Sequence, residues 1–211
     1  MIPSKDEWID ALNERHGTQL QARFSSATVA ICGLGGLGSN IAVALARAGI
    51  GKLILIDFDR VDITNLHRQQ YKANQIGRYK TEALAENLLG IAPYTQIKTV
   101  RAKITEENFA DLLKDADVVC EAFDNAETKA MLVNGVLEQL PNCYLVAASG
   151  MSGMDTPNTI RTRKVTKRFY LCGDEQSDVV DTIGLVAPRV MLCAAHQAHT
   201  VLRILAGEYE V

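Results

Sequence analysis

The chain has 211 residues, 47% of them apolar, with 22 basic against 25 acidic side chains and a formal net charge of −3. That balance excludes a disordered chain and a generally basic nucleic-acid surface, and the length suits one domain over residues 1–211 with a substantial core. Five cysteines, Cys32, Cys120, Cys143, Cys172 and Cys193, form no C-x-x-C pair, so neither a disulfide framework nor a four-thiolate zinc site is expected. The start of the chain lacks the shape of a secretory leader, and no apolar run is long enough for a bilayer. The reading is a cytoplasmic protein with no membrane partner.

Residues 4–25 place Trp8, Ile9, Leu12, Leu20 and Phe24 at helical spacings broken by Gly17, which predicts helical pieces outside the main sheet. Arg15 stands just before Gly17, where a cation complements a helix C-terminus. Next comes Thr28-Val-Ala-Ile-Cys32, then Gly33-x-Gly35-Gly36-x-Gly38, then a helix from Ile41 to Ala48 that Gly49 ends. Strand, glycine turn and helix start together make a phosphate site, centred near Gly36. Taken alone, such a turn most often belongs to a dinucleotide-binding oxidoreductase.

Lys52-Leu-Ile-Leu-Ile-Asp57 reads as a second strand, apolar on both faces, with Asp57 at its end 19 residues after Gly38. That is the place of an acid that bonds ribose hydroxyls, although an Asp there can also close a turn. The polar stretch from Asp57 through Asp59, Thr64, Asn65 and Arg68 to Gln70 has no use in a plain nicotinamide fold. Lys80 then opens a helix over Thr81 to Leu89. Arg68 and Lys80 are either surface charges or, beside the glycine turn and Asp57, part of a triphosphate-binding set.

A third strand is expected over Gln96–Ala102, a helix over Glu106–Lys114 with Glu106 and Glu107 in its first turn, and a strand over Asp117–Ala122. Asp124 and Asn125 follow at a strand's carboxyl end. Asp124 is placed to cap the next helix or to hold Mg²⁺ through oxygen. Cys143–Gly150 gives a further strand, and Thr159–Thr166 a strand with a basic face. Arg161, Arg163, Lys164, Lys167 and Arg168 face either solvent or an acidic partner. Gly173–Asp178 is expected to be a mobile loop. Pro188 opens a long helix to Ala206, on which His196 and His199 lack the ligand company of a metal site. The elements add up to an α/β fold: a mostly parallel sheet with helices on both faces and a smaller antiparallel C-terminal portion.

The combination Gly33-Leu-Gly-Gly-Leu-Gly-Ser-Asn40, Asp57-Phe-Asp59, Thr64-Asn-Leu-His-Arg68-Gln, Gly77-Arg-Tyr-Lys80 and Phe123-Asp124-Asn125 resembles the ThiF/MoeB adenylyltransferases, relatives of the ubiquitin-activating enzymes. The form is most similar to short ThiF-type proteins of thiamine thiazole biosynthesis. The resemblance implies a Rossmann-like homodimer that binds ATP and Mg²⁺. It would adenylate the C-terminal glycine of a small β-grasp carrier ending in Gly-Gly, without nucleic acid or membrane. It assigns Gly36 to the phosphates and Asp57 with Asp59 to the nucleotide, Asp57 at the ribose. Thr64 lies in the nucleotide set, Asn65, Arg68 and Lys80 contact phosphates, Asp124 supports magnesium, and Asn125 lies beside the nucleotide. Arg15 matches an arginine that reaches the neighbouring subunit's site, with Arg23 as the fallback.

Two departures are visible. The family's paired C-x-x-C zinc site is missing, so no structural zinc is expected. Its sulfur-linking cysteine would fall near Asp181-Thr182, where this chain has none, and Cys172 in the expected mobile region is the nearby thiol. Activation of another carboxylate, an NAD-dependent oxidoreductase and a non-catalytic nucleotide-binding scaffold are the alternatives.

Overall fold

A computed structural model describes residues 2–211. Two helices come first, α1 (Lys5–His16) and α2 (Thr18–Ser26). The Ser4 hydroxyl accepts from the Glu7 amide while the Glu7 carboxylate accepts from the Ser4 amide, a reciprocal cap that fixes the start of α1. Gly17, at φ 81°, separates the two helices.

The α/β unit follows as β1 (Thr28–Cys32), α3 (Gly36–Arg47), β2 (Lys52–Ile56), α4 (Lys80–Ile91), β3 (Gln96–Val100), α5 (Phe109–Leu113) and β4 (Val118–Glu121). It continues with α6 (Ala126–Gln139), β5 (Tyr144–Ala148), β6 (Arg161–Thr166), β7 (Phe169–Gly173) and α7 (Ala187–Ala206). Among the described residues the strands form one seven-stranded sheet in the order β3-β2-β1-β4-β5-β7-β6. Every neighbouring pair is parallel except β6 with β7. The expected architecture, including the antiparallel C-terminal portion, is present.

Side-chain alternation divides the interior into two layers. Val29, Ile31, Leu53, Leu55, Val118 and Cys120 enter the core shared with α3, α4 and α7. Their neighbours Ala30, Cys32, Ile54, Ile56 and Val119 enter a second core closed by Phe109 and Leu113 of α5 and Leu132 and Val136 of α6. No helix among the described residues is long and apolar enough to cross a membrane.

Four local expectations need correction. First, α3 starts at Gly36 and not Ile41, so the turn leads straight into the helix. Second, α5 spans only Phe109–Leu113, because Asn108 accepts from the Thr105 amide and closes a turn ahead of it; Glu106 and Glu107 therefore lie outside any helix. Third, residues 169–173 form β7, which buries Tyr170 and Cys172.

The fourth concerns the stretch expected to be mobile. Gly173 is the last residue of β7, and Asp174 is pinned by the buried guanidinium of Arg189. Arg189 also donates to the carbonyls of Ser152, Asp155 and Thr156 and to the Thr159 hydroxyl. Burial pushes the Asp174 carboxyl up, but the amides of Ser177 and Gln176, the Ser177 hydroxyl and Arg189 outweigh it and hold the group at about 2.

Candidate nucleotide site

The glycine turn lies where the strand order reverses, with β2 on one side of β1 and β4 on the other. Open α/β sheets bind ligands in the crevice at such a point. Gly33 has φ 91°, and a Cβ there would stand 2.8 Å from the Ala122 carbonyl oxygen. Only a glycine lets the turn pass this close to the end of β4. Helix α3 then begins at Gly36 with no side chain capping it, which leaves its first-turn amides for an anion.

Asp57 is buried just past β2 and holds the turn. Its carboxylate accepts from the Leu34 amide at 2.7 Å and the Asp59 amide at 2.8 Å. The segment beyond it folds back onto α3. Ser39 accepts from the Gln70 amide, and Asn40 donates to the carbonyls of Gly36 and Arg68 while accepting from the Gln70 side chain. Ser39 and Asn40, noted in sequence only as part of the glycine motif, thus bind the Arg68 loop to the helix that offers its amides.

Arg68 runs along Gly36, with its Cγ and Cδ 3.5 Å from where a Gly36 Cβ would stand. Its Nε is buried and has no hydrogen-bond partner among the described residues. Burial pulls the guanidinium pKa down, and the negative charge of the facing Asp124 pushes back. Asn65, in a short 3₁₀ turn, accepts from the Gln69 side chain and donates to Thr64, whose amide and hydroxyl both donate to Asp62. Lys80 is the first residue of α4; its ammonium is buried and lies 2.9 Å from the half-exposed Asp59 carboxylate.

Asp124 is exposed just past β4. The cap of α6 is Asn125 and not Asp124: the Asn125 side chain accepts from the Thr128 amide at 2.9 Å. That removes capping as the duty of the Asp124 carboxylate and gives Asn125 a structural one. The structure therefore brings Gly36, Asp57, Asp59, Thr64, Asn65, Arg68, Lys80, Asp124 and Asn125 to the carboxyl ends of β1, β2 and β4.

Arg15 is not among them. Helix α1 packs at the opposite end of the strands: Leu12 crowds Gly49, and Tyr94 donates to the Pro3 carbonyl. A five-residue strand separates the two ends, roughly 16 Å. Arg23 lies at that far end too, donating to the Ala206 carbonyl at the close of α7. Clefts of about 340 Å³ and 720 Å³ lie beside Arg23 and beside β6–β7 respectively, and neither includes a residue of the assembled set.

All five cysteines are free and buried. Burial pushes the Cys172 thiol up to about 11, so this side chain in β7 is neither mobile nor a thiolate, contrary to its expected setting. Sequence reading also missed Glu121 and Lys129, an ion pair directly behind Asp124. The only signal was a carboxylate inside the apolar strand Val118-Val-Cys-Glu121. The basic face of β6 is partly paired, Arg163 with Glu175 and Lys164 with Glu210, while Arg168 donates to backbone carbonyls of Leu140 and Cys143.

A model of the ThiF family matches residues 10–211. The chain is 35% identical over 148 residues to the tRNA threonylcarbamoyladenosine dehydratase of Haemophilus influenzae, a stretch covering 69% of this chain and 56% of that protein. It is 31% identical over 190 residues to the molybdopterin-synthase adenylyltransferase of Escherichia coli, covering 89% of this chain and 76% of that one. The matched stretch thus spans little more than half of the first relative's length. Among solved structures, the E. coli tRNA N6-threonylcarbamoyladenosine dehydratase TcdA, in complex with AMP, shares the fold with a TM-score of 0.86 at 23% identity over 99% of both chains. A structure of that protein in complex with ATP is equally similar, with a TM-score of 0.86 at 22% identity. With the family match running from within α1 past the end of α7, through every element that builds the crevice, the chain belongs to the ThiF family.

Proposed function

We propose that this protein uses MgATP to adenylate a carboxylate, and that the acceptor is the C-terminal glycine of a small β-grasp carrier ending in Gly-Gly. The observation that carries the reading is the convergence of the uncapped α3 N-terminus, the unpartnered Arg68 Nε and the buried Lys80 on one switch-point crevice. Three electropositive groups suit a triphosphate, and a dinucleotide would leave Arg68 and Lys80 without purpose.

In this reading the α3 amides at Gly36 hold phosphate oxygens, and Arg68, Lys80 and Asn65 take the rest. Asp57 keeps lone pairs for ribose hydroxyls beyond the two amides it already accepts. Thr64, Asp59 and Asn125 line the nucleotide. Asp124 fits a magnesium ion, because it is an exposed hard oxygen donor, and Mg²⁺ typically takes one or two carboxylates and completes its shell with phosphate and water. When bound, that ion supplies neutralisation of phosphate charge. The carrier carboxylate attacks the α-phosphorus in line, the α–β bond breaks, and pyrophosphate leaves with its charge met by Arg68 and Lys80. No side chain forms a bond, which agrees with five buried cysteines. Arg15 enters from a second copy of the chain, since its own crevice is a strand's length away.

A second acceptor, a carboxylate carried on tRNA, is supported by the 35% identity to the dehydratase. The net charge of −3 favours the protein carrier. The deciding experiment is ATP–pyrophosphate exchange. Exchange is expected only when a Gly-Gly-ended carrier is added, with AMP appearing on the carrier by intact mass and loss of roughly a hundredfold or more in Asp124→Ala. Exchange driven by tRNA and not by any carrier would transfer the assignment to the second acceptor. Exchange indifferent to Asp124→Ala would remove Asp124 from the site.

A further inference from the structure

Strands β4 and β5 are paired only as far as Cys120 and Val146. Past that point they open into a fork, and side chains fill it from both faces of the sheet. From α7, the Gln197 amide donates to the carbonyls of Glu121 at 3.0 Å and Val146 at 3.2 Å. From α6, the Lys129 ammonium donates to both Glu121 carboxylate oxygens at 2.9 Å and to the Ala148 carbonyl at 3.1 Å. The Glu121 carboxylate in turn accepts from the Phe123 amide at 2.7 Å.

Glu121 is 1% exposed, a carboxylate where a strand interior ordinarily carries an aliphatic side chain. Burial raises its pKa, and Lys129 opposes the rise. A buried ion pair is weak as a source of stability, because an apolar pair of similar volume often does as well. Its location says more. Through the Phe123 amide it fixes the residue immediately before Asp124, and through Lys129 it fixes the helix whose cap, Asn125, comes immediately after. Asp124 itself is exposed, and its backbone is held on both sides.

We propose that the Glu121–Lys129 pair is a positioning device that aims the Asp124 carboxylate at the metal of a bound nucleotide triphosphate. The inference rests on the MgATP reading above. It separates two tasks: Arg68, Lys80 and the α3 amides bind the nucleotide, while Glu121 and Lys129 act only on the contribution made through Asp124.

The test is calorimetric binding of ATP to the intact protein with and without Mg²⁺. The variant Glu121→Gln/Lys129→Met removes both charges together, so neither is stranded. It is expected to bind metal-free ATP within about twofold of wild type and to lose about tenfold of the enhancement that Mg²⁺ gives. Asp124→Asn should lose that enhancement as well, and the triple variant should lose no more than Asp124→Asn alone. Lys129→Arg, which keeps the charge opposite Glu121, should retain most of the enhancement. Full enhancement in the double variant, with only a lowered melting temperature, would assign the pair to fold stability and overturn the proposal; so would losses that add in the triple variant. ATP binding by the wild type that does not respond to Mg²⁺ would overturn the MgATP reading itself.

Discussion

At Gly38 the turn has room for a hydrogen and nothing larger, since an added Cβ would stand 1.8 Å from the Gly33 carbonyl oxygen. Gly38→Ala is expected to lower stability by about 3 kcal/mol, read as a drop in the urea midpoint at unchanged slope, and to weaken ATP binding with it. Lys80 should behave in the opposite way. Its ammonium is buried, but its partner Asp59 is half exposed and is readily hydrated when left alone. Lys80→Ala is therefore expected to cost under about 1 kcal/mol of stability while slowing adenylation by roughly a hundredfold, a contrast that thermal melts and exchange rates measure together. Asp57 was legible in sequence because a single acid ended an apolar strand at a telling distance from the glycines. That one of its oxygens braces the turn at Leu34 while the other holds its own segment at Asp59 was not legible, because those donors are backbone amides, which every residue type carries.

At the scale of elements, the bonds that Ser177, Gln176 and Arg189 make to Asp174 give a pH signature. The Asp174 carboxyl lies at about 2 in the folded chain against its ordinary 3.8, so the folded state binds the proton less readily than the unfolded one. The contribution of those bonds, from the amides of Ser177 and Gln176, the Ser177 hydroxyl and Arg189 together, is complete above about pH 4 and is lost as pH falls toward 2, about 2 kcal/mol in all. Urea denaturation between pH 5 and pH 2 should show this decline, and Asp174→Asn should flatten it. The longer elements were readable from apolar runs and their glycine or proline ends, as with Gly33–Gly38 before α3 and Pro188 within the first turn of α7. Strand β7 was not, because Phe169-Tyr-Leu-Cys-Gly173 follows the basic Lys167-Arg168 and runs into a polar stretch. What makes it a strand is its place beside β5, a neighbour more than twenty residues away in sequence. The same distance hid Cys172's burial, and the Glu121–Lys129 pair joins a strand to a helix across a loop.

For the molecule as a whole, the position of α1 at the far ends of the strands means that the role proposed for Arg15 at the site requires a second copy. Mixing Arg15→Ala with Asp124→Ala chains, each inactive alone, is expected to restore about a quarter of the wild-type rate. Random pairing gives half the dimers as heterodimers, each with one complete site. No recovery after mixing and subunit exchange would show that Arg15 works elsewhere.

The central place of β1 has a consequence during synthesis. Its first neighbour, β2, pairs through residues 52–56, whereas the second, β4, arrives only with residues 118–121. At roughly 5–20 residues per second, the ribosome leaves the Val29–Cys32 edge open for several seconds after β2 has emerged. A half-made chain therefore presents an apolar strand with unsatisfied backbone donors and acceptors, the kind of edge on which nascent proteins stick to one another. A stalled chain of about 110 residues should bind holdase chaperones that the finished protein ignores, since β4 closes that edge and builds the nucleotide crevice in the same step.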